Sequence, residues 1–301
     1  MKNKILIIGS SNTDMVIKTD HLPVPGETIL GGTFFMAAGG KGANQAVAAA
    51  RLGGAVTLVC KVGNDIFGNS AKELFKQEGI DTAYLLTDAT LPSGIALIMV
   101  DKQAENCIAV ASGANAALTP DDLQETDILI ETATLILLQL EIPLNTVQYV
   151  ASKAFSKGIP VMLNPAPARE LPNELLQCIS IITPNETEAE ILTGIKVTDI
   201  ASAQQAATIL HSKGIPTVII TMGSSGALIL HDDIFSHVPA LTVQAIDTTA
   251  AGDVFNGALA VALSNGKTVS EAAAYACKAA SISVTRLGAQ ASAPYKHEIE
   301  D

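Results

Sequence analysis

Short, almost wholly apolar runs alternate with longer stretches of helical periodicity along most of this chain, and that alternation limits the folds open to it. The runs fall at residues 5–8, 56–60, 135–138, 160–163, 179–182 and 217–221. They are too short for helices and lack the polar alternation of strands with one wet face, so they read as strands buried on both sides. Residues 41–52, 68–78, 145–156, 186–192 and 201–212 read as helices between them, and 252–264 and 270–284 as two more. Strand and helix in repeated succession predict an α/β fold, a mostly parallel sheet covered by helices. No linker, low-complexity segment or internal repeat divides the chain, so residues 1–301 read as one α/β domain.

Two segments break the alternation. Residues 15–36 read as a strand, a turn at Pro23-Val24-Pro25-Gly26, and a second strand. Residues 84–112 read as strands separated by Leu91-Pro92-Ser93-Gly94 and by a polar turn over 101–106. Such insertions suit a small β-sheet standing off the main one. A flap over a site and a contact between chains are its natural uses, and an edge extension of the main sheet is the plain alternative.

The chain is 48% hydrophobic, enough for a sizeable core, and with no Trp and 4% aromatics that core must be aliphatic. A net charge of -12 argues against nucleic acid or an anionic membrane as the main partner, while leaving room for a local anion site. No apolar stretch approaches the roughly 20 residues needed to cross a bilayer, and the first strand is too short for a signal-peptide core. Cys60, Cys107, Cys178 and Cys277 are far apart, with three in or beside apolar runs, and read as free, buried thiols. A cytoplasmic protein is expected.

The segment Asp247-Thr248-Thr249-Ala250-Ala251-Gly252-Asp253-Val254-Phe255-Asn256-Gly257-Ala258 carries the strongest chemical signal. A small-residue turn opening a helix leaves backbone N–H groups free to face an anion, and Asp253 sits beside them. A carboxylate there can take a proton from an attacking hydroxyl; an ordinary capped helix start, with Asp suiting the dipole, explains the same residues. Ala38-Gly39-Gly40-Lys41-Gly42-Ala43-Asn44-Gln45 lets backbone approach a polar ligand, but it is not a phosphate-cradling Walker loop, because Phe35 and Gly42 occupy two of that pattern's fixed positions. Asn12 and Asp14 follow the first strand at the rim where open α/β sheets bind ligands, and suit sugar hydroxyls as well as they suit an Asx turn. Asn185 and Glu188 have capping-box spacing, with a phosphate-side or water-mediated Mg²⁺ role as the functional alternative. Residues 221–226 form a Gly/Ser turn after a strand, and Glu141 is a further acid at a strand end.

These segments, in this order and spacing, resemble the ribokinase family of carbohydrate kinases. The resemblance spans nearly the whole chain, and Asn164-Pro165-Ala166-Pro167-Ala168-Arg169-Glu170-Leu171-Pro172 and Val284-Thr285-Arg286-Leu287-Gly288-Ala289-Gln290 extend it. It implies a three-layer α/β/α fold with a small β-sheet lid formed at roughly 15–36 and 84–112, two chains pairing through their lids. It implies ATP-dependent phosphorylation of D-ribose at its 5-hydroxyl, giving ribose 5-phosphate and ADP. Asp253 would be the base, and the backbone of Ala250, Ala251 and Gly252 the anion hole. Asn12, Asp14, Gly40, Lys41, Asn44, Glu141 and Asp253 would hold the sugar. Asn185, Thr221, Gly223, Ser224, Gly226, Gly252 and Cys277 would line the nucleotide, with Glu188 serving Mg²⁺ through water. Asp247, Thr249, Ser283, Arg286, Gly288 and Ser292 match a monovalent-cation site, normally K⁺.

Two positions depart from the family pattern: Val254 replaces a common hydroxyl residue, and Cys277 stands where a His can lie along adenine. A relative acting on another sugar or nucleoside, or a sugar-binding relative without catalysis, are the competing readings. A nicotinamide enzyme is excluded by the missing G-x-G-x-x-G after the first strand.

Overall fold

The computed structural model describes residues 3–103 and 105–300. Ala104, in the 101–106 turn, and the extreme ends of the 1–301 span lie outside the described residues. In chain order the elements are β1 Lys4–Ile8, β2 Asn12–Lys18, β3 Thr33–Gly39, α1 Lys41–Arg51, β4 Ala55–Val59, β5 Lys61–Gly63, α2 Ile66–Gln77, β6 Leu86–Asp88, β7 Gly94–Val100 and β8 Asn106–Ala111. There follow α3 Asp127–Thr132, β9 Leu135–Leu138, α4 Leu144–Ser156, β10 Val161–Leu163, α5 Asn173–Leu176, β11 Ile181–Ile182, α6 Glu186–Thr193 and α7 Ile200–Ser212. The chain then forms β12 Thr217–Thr221, β13 Ala227–His231, β14 Ile234–Val238, α8 Ala251–Ser264, α9 Val269–Ser283 and α10 His297–Glu300.

The central sheet runs β14-β13-β12-β11-β10-β9-β1-β4. Pairing is parallel from β4 to β12 and antiparallel through β13 and β14. All four residues of β9 are fully or almost fully buried, as a strand covered on both faces requires. Ile7, Leu137 and Met162 pack toward α1, α8 and α9, while Ile8, Leu138 and Leu163 pack toward α4 and α7. The six apolar runs are thus all strands of one three-layer α/β/α sandwich. The antiparallel β13–β14 hairpin is an addition that alternation alone did not predict.

A separate four-stranded sheet has the order β3-β2-β7-β8. It takes in the inserted segments with one adjustment: Leu86–Asp88 pairs in parallel with Lys61–Gly63 in its own two-stranded sheet. The off-sheet strands of the second insertion are therefore Gly94–Val100 and Asn106–Ala111.

The packing of α1 against α8 sets the position of the site. Both helices are rich in Ala and Gly, and Ala46, Ala48, Ala49 and Ala258 are completely buried. A Cβ on Gly257 would come within 2.7 Å of the Gln45 carbonyl oxygen, so the helices meet at backbone distance. Overpacking of this kind costs about 1–3 kcal/mol. The close approach brings the first turns of α1 and α8 side by side, and with them Asn44, Gln45 and Asp253.

Of the cysteines, Cys60 and Cys277 are buried, but Cys107 is exposed and Cys178 half-buried, so apolar neighbours overstated their burial. All four are free thiols. Among the described residues no helix is long and apolar enough to cross a membrane.

Candidate active site

Asp253 is 5% exposed and both of its carboxylate oxygens are occupied. Asn44 Nδ2 donates to Oδ2 at 2.9 Å, and Gln45 Nε2 to Oδ1 at 2.9 Å. Around it lies a cavity of about 160 Å³ lined by Lys41, Asn164, Thr183, Asn185, Glu188, Thr221 and residues 250–253. The structure thus gathers into one concave space groups from five separate segments.

The turn into α8 has the character its small residues suggested. Ala250, the residue before the helix, adopts a left-handed conformation with φ 59°. A non-glycine residue held there carries strain of about 1–3 kcal/mol, which collects at functional sites. The Ala251 N–H donates to the Thr248 carbonyl at 3.2 Å, whereas those of Ala250, Gly252 and Asp253 find no acceptor among the described residues. The donors open to an anion are therefore Ala250, Gly252 and Asp253. Asn256 holds the turn by donating from Nδ2 to the Gly252 carbonyl at 2.7 Å while its Oδ1 accepts from Thr183 Oγ1 at 2.6 Å.

Gly40, with φ +89°, leads into α1, and a Cβ there would lie 2.6 Å from the Asn12 nitrogen. Glu141 Oε2 accepts from Ser10 Oγ at 2.5 Å and from the Lys41 backbone N–H at 3.0 Å. One Glu141 oxygen thus caps α1, where a negative charge suits the helix dipole, and only the other is free for a ligand. Burial, reinforced by the Glu141 and Asp253 carboxylates, pushes the Asp14 carboxyl up to about 6. The Asp253 charge holds the Lys41 ammonium above its ordinary value against the opposing effect of burial, with Glu141 and Glu188 adding to it. Lys41 is thus a fixed positive charge among carboxylates.

Asn12 and Glu141 also line a second, larger cavity of about 310 Å³, with Val110, Ser112, Asn115, Ala116 and Arg169. Asn115, fully buried, donates from Nδ2 to Asn12 Oδ1 at 2.8 Å and accepts from the Ser11 N–H at 2.9 Å.

Asn185 and Glu188 form a complete capping box on α6: the Glu188 N–H reaches Asn185 Oδ1 at 2.8 Å, and the Asn185 N–H reaches Glu188 Oε2 at 2.9 Å. The structural and functional readings coincide here, because both residues also line the smaller cavity. Burial raises the Glu188 carboxyl, opposed by the Asn185 N–H and the Lys41 charge. Thr221 bridges to Asn185. Gly223, Ser224 and Gly226 form the turn after β12 and lie outside both cavities, as does Cys277. Gly226 has a backbone reason of its own, since a Cβ would meet the Val238 carbonyl oxygen at 2.0 Å. Val254, 1% exposed, belongs to the core beneath α8.

Asp247 accepts from the Thr249 N–H at 2.9 Å through Oδ1 and from the Gly288 N–H at 2.8 Å through Oδ2. Partial burial pushes its carboxyl upward, but the hydrogen bonds from Thr249 and Gly288 outweigh it and the net shift is downward. The Arg286 side chain is taken by an ion pair with Glu298, so only its backbone remains for a ligand. The Ser283 hydroxyl donates to the Ala280 carbonyl at 2.9 Å, and the buried Ser292 hydroxyl to the Ala289 carbonyl at 2.8 Å. The oxygens of both hydroxyls retain lone pairs.

Sequence reasoning missed a set of buried amides: Gln45, Gln139, Asn164 and Asn256 around Asp253, and Asn115 beside Asn12. The signal was present as polar residues inside or directly after otherwise apolar runs, such as Gln139 following Leu135–Leu138.

Comparison with known proteins agrees with this geometry. The model of the pfkB family carbohydrate kinases matches residues 2–296. A ribokinase of Haemophilus influenzae is 47% identical over 298 residues, covering 99% of this chain and 97% of its own. A deoxyribokinase of Salmonella typhi is 40% identical over 291 residues, covering 96% and 95%. The structure of Arabidopsis thaliana ribokinase complexed with ribose and ATP aligns with a TM-score of 0.94 and 33% identity, covering 100% of this chain and 98% of that one. With the family model spanning nearly every residue and the site built where such a fold places its ligands, the chain belongs to the pfkB family of carbohydrate kinases.

Proposed function

We propose that the chain transfers the γ-phosphoryl group of ATP to the 5-hydroxyl of D-ribose, giving ribose 5-phosphate and ADP. The observation that carries this reading is the pairing of a buried, doubly hydrogen-bonded Asp253 with unpaired N–H groups at the start of α8, one cavity containing both. Phosphoryl transfer asks a protein mainly to position reactants and neutralise charge on the equatorial oxygens. Asp253 takes the proton of the attacking hydroxyl, and the N–H groups of Ala250, Gly252 and Asp253 face the transferring group. Lys41, held cationic between Asp253, Glu141 and Glu188, adds a fixed positive charge on the same side. Asn12, Asp14, Gly40, Asn44 and Glu141 bind the sugar. The Asn44 Oδ1, buried and without a partner among the described residues, waits for a hydroxyl donor.

The nucleotide lies on the other side, toward Asn185, Thr221 and the turn carrying Gly223, Ser224 and Gly226, with Cys277 at its margin. Among the described residues no three His, Cys, Asp or Glu side chains converge as a metal cage. A lone carboxylate fits Mg²⁺, which keeps its waters and binds through one or two carboxylates plus substrate phosphates. Glu188 is the residue that would hold it through water, and the ion would neutralise phosphate charge. The oxygen-only set of Asp247, Thr249, Ser283, Arg286, Gly288 and Ser292 fits a monovalent cation such as K⁺, which would brace the loop leading to Ala250. We assign the protein to the cytoplasm, in keeping with its free cysteines.

The four-stranded sheet acts as a lid that closes on the sugar and joins two chains. Strand alternation puts Asp14 and Val110 on its inner face. Phe34, Met36 and Leu97, exposed by 57%, 56% and 52%, stand on the opposite face. An apolar surface of this kind marks a protein contact, and a second copy is the partner that fits.

The test is ADP release with ribose, 2-deoxyribose, hexoses and nucleosides as acceptors, at fixed ATP and Mg²⁺. Ribose gives the highest kcat/KM, and a higher value for 2-deoxyribose or a nucleoside overturns the substrate assignment.

A further inference from the structure

Gln45, Gln139 and Asn164 form a chain of buried amides whose direction is fixed from end to end. Gln139 and Gln45 are completely buried and Asn164 nearly so. Gln139 Nε2 donates to Gln45 Oε1 at 2.5 Å. Gln45 Nε2 then donates twice, to Asp253 Oδ1 at 2.9 Å and to Asn164 Oδ1 at 3.0 Å. Asn164 Nδ2 in turn donates to the Thr183 carbonyl at 3.4 Å. An ionised carboxylate only accepts, so Gln45 must present its NH₂ to Asp253. Its carbonyl must then point at Gln139, and only the NH₂ of Gln139 can satisfy it. Reversing either amide would set two acceptors against each other in a buried space.

The backbone makes room for this arrangement. A Cβ on Gly9, at the end of β1, would lie 2.0 Å from Gln139 Oε1 and 2.8 Å from the Gly42 Cα. Gly9 therefore lets the Gln139 side chain pass beneath the turn into α1. Gln139 Oε1 itself has no partner among the described residues, so the side chain is oriented by the bond that Gln139 Nε2 donates to Gln45.

We propose that Gln45 and Gln139 are positioning residues that hold the Asp253 carboxylate in one rotamer and keep it a proton acceptor, Gln45 by direct donation and Gln139 by fixing the orientation of Gln45. This rests on Asp253 being the base. With both carboxylate oxygens anchored by amide N–H groups, the remaining lone pairs point toward the cavity that receives the sugar hydroxyl. The titratable groups facing Asp253 are Asp14 on β2, Lys41 on α1 and Glu188 on α6, with Glu141 after β9 facing Asp14 and Lys41.

The test compares Gln45→Glu, Gln45→Met, Gln139→Leu and Gly9→Ala with the parent, each checked for a cooperative melt. Gln45→Glu keeps the acceptor for Gln139 but sets a second carboxylate against Asp253. Like charge raises a neighbouring carboxyl, so the acid limb of the kcat profile moves to higher pH by about one unit or more. Gln45→Met and Gln139→Leu lower kcat by about tenfold or more while KM for ribose stays within about threefold, a split expected of a group acting only on the base. Gly9→Ala, which leaves both amides chemically intact but drives a methyl group into the space of the Gln139 side chain, repeats the Gln139→Leu pattern. Unchanged kcat and an unmoved acid limb in the variants that fold overturn the proposal. Asp253→Asn separates the two ideas: if it turns over normally, the base assignment itself is wrong, whereas if it is inactive and the amide variants are not, only the relay is.

Discussion

Asn44 and Asp253, 209 residues apart in sequence, are joined by a 2.9 Å hydrogen bond at the point where α1 and α8 meet. The bond exists because the two helices touch at backbone distance over Gly257. It ties the turn into α1 to the proposed base, so that one side chain reaches both. Its Nδ2 orients the carboxylate and its buried Oδ1 is left for the substrate.

Asn44→Ala removes both functions. A hydrogen bond to a charged group contributes about 1.5–3 kcal/mol, or roughly 10–100-fold in an equilibrium constant. KM for ribose rises by about that factor and kcat falls with it. Steady-state kinetics with ribose as the varied substrate check this, and an unchanged KM removes Asn44 from the sugar site.

With Asp14 in the proposed sugar site, sugar binding depends on pH. Its carboxyl, raised to about 6 by burial and by its Glu141 and Asp253 neighbours, must be ionised to accept sugar hydroxyls. Ribose affinity therefore weakens as pH falls through about 6. For stability the sign is reversed. A carboxyl raised on folding takes up a proton more readily in the folded chain, so the native state loses stability as pH rises from about 4 to about 6. Asp14→Asn avoids that loss: its Tm exceeds the parent's by several degrees at pH 7.5, and the difference closes below pH 4. Calorimetry across that range decides it.

The outer face of the four-stranded sheet predicts an association defect. Leu97→Glu puts a charge on the face that carries Phe34 and Met36. Sedimentation velocity gives a dimer for the parent and a monomer for the variant at micromolar concentration. A parent that sediments as a monomer removes the pairing role from this face.

Asp247 anchors the loop before Ala250 through Thr249 and Gly288. Raising K⁺ against an osmotically matched control increases both turnover and Tm of the parent, since a ligand bound only to the native state stabilises it. Asp247→Ala loses both responses. A parent Tm indifferent to K⁺ discards the cation site.

The parts of this molecule legible in sequence are those written in local pattern. β1, β9, β10, β11 and β12 announce themselves because a strand buried on both faces has no choice but an apolar run, and β4 because its Val56, Leu58 and Val59 are buried. The turns at Gly40 and Ala250 are legible because backbone close to a ligand demands small residues. Pairing is not local, and for that reason local pattern groups Leu86–Asp88 with the wrong sheet: nothing in those three residues names Lys61–Gly63 as their partner. The β13–β14 hairpin is not legible for a similar reason, since Ile234–Val238 mixes exposed apolar and polar residues as an edge strand does. The buried amides stayed hidden because Asn and Gln are ordinarily solvent-facing or capping residues. Only the meeting of β9, β10, α1 and α8 turns Gln139, Asn164 and Gln45 into the setting of one carboxylate.

The most direct measurement compares parent and Asp253→Asn proteins for ATP-dependent phosphorylation of ribose, with ribose affinity measured on both by calorimetry. The substitution keeps the shape of the side chain but removes its basicity. Turnover falls by about 10²–10⁴-fold, the range for a general base, while ribose still binds. Near-parent turnover in the variant contradicts the account.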